Sequence, residues 1–140
     1  VDIGSLFVKS GTFVEIRTKD SSSTREVGTS AVATEDPLVV IINGKTSAAA
    51  EVLAGGLQDN GRAVIVGENS MGKGTVQSVV KLSFGGGLRY TSAYYRMPSG
   101  REIDGNGVEP NMQVAEGSSS KKDAQKDYAV DAAKSLVAAS

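Results

Sequence analysis

The sequence contains no cysteine and no histidine. The first absence rules out a disulfide framework and thiolate metal sites; the second rules out imidazole ligands. Together they exclude a nucleophile activated in the Ser–His or Cys–His manner. Any nucleophilic chemistry here must take its base from a lysine, a carboxylate or a terminal amine. Nor does any apolar run approach the ~18–20 residues that cross a bilayer as a helix. An excess of charge is also lacking: fifteen Lys and Arg face sixteen Asp and Glu, for a formal net charge of −1. The basic residues are dispersed, and the pair Lys121–Lys122 reads as a solvated helix start, so no basic face for nucleic acid is expected.

A chain of 140 residues, 39% of them hydrophobic, fits one domain around one core. It does not begin with Met, no signal peptide is expected from its opening residues, and it opens within an amphipathic pattern (Ile3, Leu6, Phe7) that predicts the end of a helix over residues 2–9, stopped by Gly11. A start of this kind is expected of a piece cut from a longer chain. Thr12–Arg17 alternates as a strand. Lys19–Thr34 is polar and reads as a loop with a short strand near Val27. Leu38–Ile42 is an unbroken aliphatic run, expected to be a strand buried on both faces. After the Asn43–Gly44 turn, Ala49, Leu53 and Leu57 recur at helical spacing, with Val52 and Gly56 alongside, until Asn60–Gly61. Ala63–Val66 is a second buried strand, completing a βαβ unit. Thr75–Leu82 and Leu88–Arg96 form a hairpin. Residues 1–116 are expected to be one core, 117–121 a linker, and 122–140 a terminal helix with a weak face of Ala129, Ala132, Ala133, Leu136 and Val137.

Gly67-Glu68-Asn69-Ser70-Met71-Gly72-Lys73-Gly74 follows a buried strand and nearly satisfies the phosphate-loop pattern G-x-x-x-x-G-K-[ST]. Gly74 stands where the magnesium-holding hydroxyl is needed. The segment also leads into a β-branched run (Thr75, Val76, Val79, Val80) instead of a helix whose amides would hold phosphates. Nucleotide binding is not expected, and no cofactor is assigned. Taken alone, Gly72 and Gly74 would only permit a tight turn and leave Lys73 a surface residue.

Read with its neighbours, the segment gains meaning. Asn43 to Ala63 (NGKTSAAAEVLAGGLQDNGRA), Val66-Gly67-Glu68 with Gly72 to Gln77 (GKGTVQ), Tyr94 to Ile103 (YYRMPSGREI) and Gly107 to Asn111 (GVEPN) together resemble the carboxyl-terminal processing proteases of peptidase family S41, over about Val1 to Val114. The resemblance implies an α/β fold: a ClpP/crotonase-like spiral core with βαβ units, a β-hairpin and a C-terminal helix. It implies a serine nucleophile with a lysine general base. It makes Lys73 that base, Gln77 the residue that orients it, and the Ala49 backbone N–H one oxyanion donor. A lysine near its solution pKa of ~10.4 is protonated. Burial in an apolar pocket would disfavour the charged form and free the amine to act.

One position departs from the family. Its helix begins with a pattern like S/T-A-S-A-S/A-E, with the attacking serine three residues before the glutamate. Glu51 sets that frame here, and the nucleophile position is Ala48. Alanine has no lone pair to attack a carbonyl, so the chain is expected to be inactive, through a designed Ser→Ala change or as a paralogue without activity. Ser47 is one residue earlier, about 100° around a helix, and is expected to face away from Lys73; Thr46 and Ser47 are also N-cap candidates.

The family's second oxyanion donor, a glycine-rich turn on an earlier strand, would precede Val1. The fold is therefore expected to lack an upstream strand and to expose an edge open to self-association. By the same resemblance, the partner is a protein or peptide with an apolar C-terminus, and the setting is extracytoplasmic, a bacterial periplasm, cell envelope or thylakoid lumen. The alternative is a non-catalytic peptide-binding or assembly module that takes an extended peptide along a strand edge. A crotonase-like acyl-CoA enzyme would share the spiral core, but no feature for adenine or pantetheine is present.

Overall fold

A computed structural model describes residues 1–28, 31–117 and 123–139. In chain order the elements are α1 (Asp2–Ser5), β1 (Ser10–Arg17), β2 (Ser22–Gly28), β3 (Leu38–Ile42), α2 (Ala49–Asp59), β4 (Ala63–Gly67), β5 (Thr75–Lys81), β6 (Gly87–Arg96), β7 (Met112–Gln113) and α3 (Ala124–Ala138). The strands divide by the direction of their pairing. One sheet, in the order β2-β1-β6-β5, is antiparallel throughout. The other, β3-β4-β7, is parallel.

Helix α2 is the crossover between β3 and β4 and packs on both β4 and β1. Its close approach to β1 needs glycine. A Cβ on Gly56 would lie 2.6 Å from the Phe13 ring, and one on Gly55 would lie 2.4 Å from Met97 Sδ. The main core collects around that contact: Phe13 and Ile65 are fully buried, with Val27, Ile42, Ala54, Leu57 and Val108 around them. Full burial of one such large side chain contributes about 1.5–3 kcal/mol. A second cluster, Val14, Val52, Met97 and Ile103, lies on the other side of β1. Helix α3 is capped by Asp123, whose carboxylate accepts the Lys126 N–H at 3.0 Å. It packs on β3 and β4 and buries Ala129 and Gln125.

Most of the expected elements are present; three differ, and one strand is additional. The opening helix is one turn, not eight residues: Gly4 sits against the Phe13 ring, and the chain must then turn so that Val8 enters the core before β1. The polar stretch near Val27 is a full seven-residue strand. As an outer strand of its sheet it buries only Val27, which explains its Ser- and Thr-rich sequence. β3 is not buried on both faces: it pairs only with β4, and Ile41 is 43% exposed. β7, two residues long, was not expected; it adds a third parallel strand beside Val66–Gly67. Of the expected linker, residues 118–121 lie outside the described residues.

Candidate active site

The strand-to-helix turn after β3 is built by side chains. Asn43 Oδ1 accepts the Lys45 N–H at 3.0 Å, and Thr46 Oγ1 accepts the Asn43 N–H at 3.1 Å. The chain then enters α2 through Ala48, at φ 52° and ψ −118°. Among the described residues it is the only non-glycine with positive φ. Such a conformation costs about 1–3 kcal/mol and persists only where the surroundings impose it. Ala48, not Thr46 or Ser47, is the N-cap: Thr46 is already committed to the turn, and the helix begins one sharp bend later. Ala48 and Ala49 are exposed. The Ala49 N–H, at the helix start, has no acceptor among the described residues, so it can donate to an incoming carbonyl oxygen.

What imposes the bend is Glu51. Its side chain is fully buried, and both oxygens are saturated by donors. Oε2 accepts the N–H groups of Ala48 at 2.9 Å and Lys73 at 2.8 Å. Oε1 accepts the Ser70 hydroxyl at 2.5 Å and the Gly72 N–H at 2.6 Å. The contact to Ala48 is half of a capping box. The other half needs a hydroxyl at position 48, which alanine lacks. A further tie joins the segments, the Met71 N–H donating to Thr46 O at 2.9 Å. The turn at Ala48 and the loop carrying Lys73 are therefore one hydrogen-bonded unit.

The glycine-rich segment runs directly into β5, so no helix start follows it. Gly74 lets it pass against the 103–104 backbone, where a Cβ would fall 2.3 Å from Asp104 N. Lys73 emerges from this loop exposed, and its ammonium has no hydrogen bond or ion pair among the described residues. The apolar burial expected for a lysine base is not supplied by this chain. Gln77, on β5, donates to Thr91 Oγ1 at 2.7 Å and Thr75 Oγ1 at 3.1 Å and makes no hydrogen bond to Lys73. Thus Ala48, Ala49 and the Lys73 backbone come together through Glu51, whereas Gln77 stands apart on the sheet.

Beside the start of α2 opens a cleft of about 560 Å³. Its walls are mainly apolar, with Ile3, Val14, Ile16, Val52, Leu53 and Tyr95 among its lining, and Ala49 reaches it from the helix.

Residues 1–114 match the model of Peptidase family S41. The chain belongs to that family. It is 42% identical over 115 residues to carboxyl-terminal-processing peptidase 2, chloroplastic, of Arabidopsis thaliana, covering 79% of the chain and 22% of the relative. It is 39% identical over 114 residues to the carboxyl-terminal-processing protease of Synechocystis sp., covering 81% and 27%. The chain thus spans about a quarter of the length of these relatives. Among solved structures, the photosystem II D1 C-terminal processing protease superposes with a TM-score of 0.78 at 36% identity, covering 81% of the chain and 30% of that protein. The curled α/β core of S41 peptidases is therefore the fold of this chain. No helix among the described residues is long and apolar enough to cross a membrane.

Two residues of the site were not identified as such from sequence. Glu51 served there only to set the frame, although an acid at the third position of a helix signals a reach back to the cap. Ser70 gave no signal, because its contacts to Glu51 and Val108 are made across 19 and 38 residues.

Proposed function

We propose that this chain carries the nucleophile helix and lysine loop of a serine-type C-terminal processing peptidase, that Ala48 holds the place of the attacking serine, and that the chain therefore does not cleave peptides. The observation that carries this reading is the strained, exposed turn at Ala48, next to the unpaired Ala49 N–H and tied through Glu51 to the Lys73 loop. Strain of this kind collects at functional sites. With a hydroxyl at position 48, a neutral Lys73 amine would take its proton as the oxygen adds to the scissile carbonyl. The Ala49 N–H would stabilise the oxyanion, and the resulting ammonium would return the proton to the leaving amine. Gln77 would orient the amine once its carbonyl oxygen turns toward Lys73. The methyl group of Ala48 removes the first step.

The substrates are proteins or peptides with an apolar C-terminal region, a preference supported by the apolar cleft beside Ala49. Residues 1–116 belong to the catalytic-core portion, and α3 (Ala124–Ala138) is an appended helix. The setting is extracytoplasmic, in line with the chloroplastic and bacterial relatives. The same cleft favours a second reading, a pseudoprotease that binds peptides without cutting them.

The test is to make Ala48→Ser, alone and with Lys73→Ala, in this chain and in its full-length parent, and to assay cleavage of an unfolded protein with an apolar C-terminus. The expected result is cleavage by the full-length serine form and none after Lys73→Ala. A folded, full-length serine form that binds the substrate but leaves it intact would overturn the peptidase reading in favour of the pseudoprotease.

A further inference from the structure

The Glu51 carboxylate has one side-chain donor, and that donor is itself held from behind. Ser70 is buried, 8% exposed. Its hydroxyl donates to Glu51 Oε1 at 2.5 Å and accepts the Val108 N–H at 2.7 Å. Its backbone closes the same junction, the Ser70 N–H donating to Val108 O at 3.2 Å. Gly107 packs against it so closely that a Cβ there would lie 2.5 Å from Ser70 O. A hydroxyl is the side chain this position needs. It must donate to a carboxylate and accept from an amide at once.

We propose that Ser70 is a positioning residue for Lys73. By fixing the rotation of the Glu51 carboxylate from the 107–108 turn, it aims Oε1 at the Gly72 N–H and Oε2 at the Lys73 and Ala48 N–H groups. This sets where the lysine loop lies relative to the nucleophile turn. The inference rests on the reading of Lys73 and Ala48 given above and adds a residue to it. Without the hydroxyl, Oε1 loses one of its two donors and the Val108 N–H loses its acceptor. The carboxylate can then turn away from the two loop amides, and the loop is released while the rest of the fold keeps its contacts.

The test is site-resolved hydrogen exchange on this chain, which needs no catalysis. Ser70→Ala is expected to speed exchange of the Gly72 and Lys73 amides by about 10–100-fold, the loss of one buried bond to a charged acceptor. The Ala48 amide should follow, and amides of β1 and α3 should change far less. Ser70→Thr, which keeps the hydroxyl, should restore slow exchange. Exchange that rises equally everywhere, or that stays slow at Gly72 and Lys73 in Ser70→Ala, would overturn the proposal. If Ser70→Ala does not fold, Ser70→Cys replaces it: the weaker thiol donor should give intermediate exchange at Gly72 and Lys73, and exchange equal to that of Ser70→Thr would overturn the proposal. Failure of Ala48→Ser to cleave would leave this pattern intact, so the two readings fail separately.

Discussion

The Glu51 carboxylate accepts the backbone N–H of Lys73 at 2.8 Å across 22 residues of chain, and through it the first turn of a helix holds a loop that belongs to the following strand. The same oxygen holds the Ala48 N–H, so both halves of the site depend on one side chain. Glu51→Ala would strand three backbone donors and the Ser70 hydroxyl in a buried space, and each unsatisfied donor costs about 1–3 kcal/mol. A loss of at least about 3 kcal/mol in urea denaturation is expected. Glu51→Gln should cost nearly as much, because an amide nitrogen would face donors where an acceptor is required. A Gln variant as stable as the parent would show that the carboxylate is not the organising group.

Ala48 presents the opposite case, a residue that costs stability where it stands. Its φ of 52° strains any side chain with a Cβ, by about 1–3 kcal/mol. Glycine relieves that strain and loses about 0.5–1 kcal/mol of backbone entropy. Ala48→Gly is therefore expected to stabilise the chain by about 1 kcal/mol, although glycine near a helix start usually does not. Thermal and urea denaturation of the two forms measure this directly. A destabilised glycine variant would mean that the turn is not held in this strained geometry.

The different visibility of these features in the sequence has a physical cause. The helical spacing from Ala49 gave α2 by its period, and the short β-branched aliphatic runs Leu38–Ile42 and Ala63–Val66 gave the flanking strands by length and composition, completing the βαβ unit. The hairpin was equally visible through its glycines. β2 was hidden because an outer strand buries little and its residues stay polar. β7 was hidden because two residues carry no period. The site divides in the same way. Lys73 and Ala48 are assigned through ordered motifs, which are local, whereas the Ser70 contacts exist only after folding. The exposure of Lys73 could not have been read from its neighbours, since the surfaces that would bury a side chain need not be close in sequence.

Gly74 carries a backbone requirement that the lysine loop cannot evade. A Cβ there would meet Asp104 N at 2.3 Å and Asp104 Cα at 2.8 Å, and backbone atoms cannot turn aside as a side-chain tip can. Gly74→Ala should cost about 1–3 kcal/mol and displace the loop from the 103–104 turn. It should also abolish any activity restored by Ala48→Ser in the full-length protein. Gly85, in the hairpin turn, has no neighbour within 4 Å of such a Cβ and serves as the control: Gly85→Asn, which tolerates positive φ, should leave activity unchanged. Equal effects at the two positions would show that the Gly74 contact does not matter.

Asp59, at the far end of α2, makes the stability of this core depend on acid. Its side chain is only 6% exposed. Burial alone would raise its pKa, but the Ser99 side chain and N–H, together with the Arg101 guanidinium, outweigh that effect and hold the carboxyl below its ordinary value. The Ser99 N–H donates to Oδ2 at 2.8 Å and Arg101 to Oδ1 at 2.6 Å. In the unfolded chain the group titrates at ~3.9, so the unfolded state binds the proton first as pH falls. The contribution of Asp59 is then fully present above the unfolded value and disappears as pH drops through the lower folded one. Asp59→Asn, which is neutral at every pH, should lower stability at pH 7, and the gap to the parent should narrow steadily below about pH 4. Urea denaturation of both forms between pH 7 and pH 2.5 reads this gap. A gap that stays constant across the range would mean that the charge of Asp59 is not what holds the Ser99–Arg101 turn to the end of the helix.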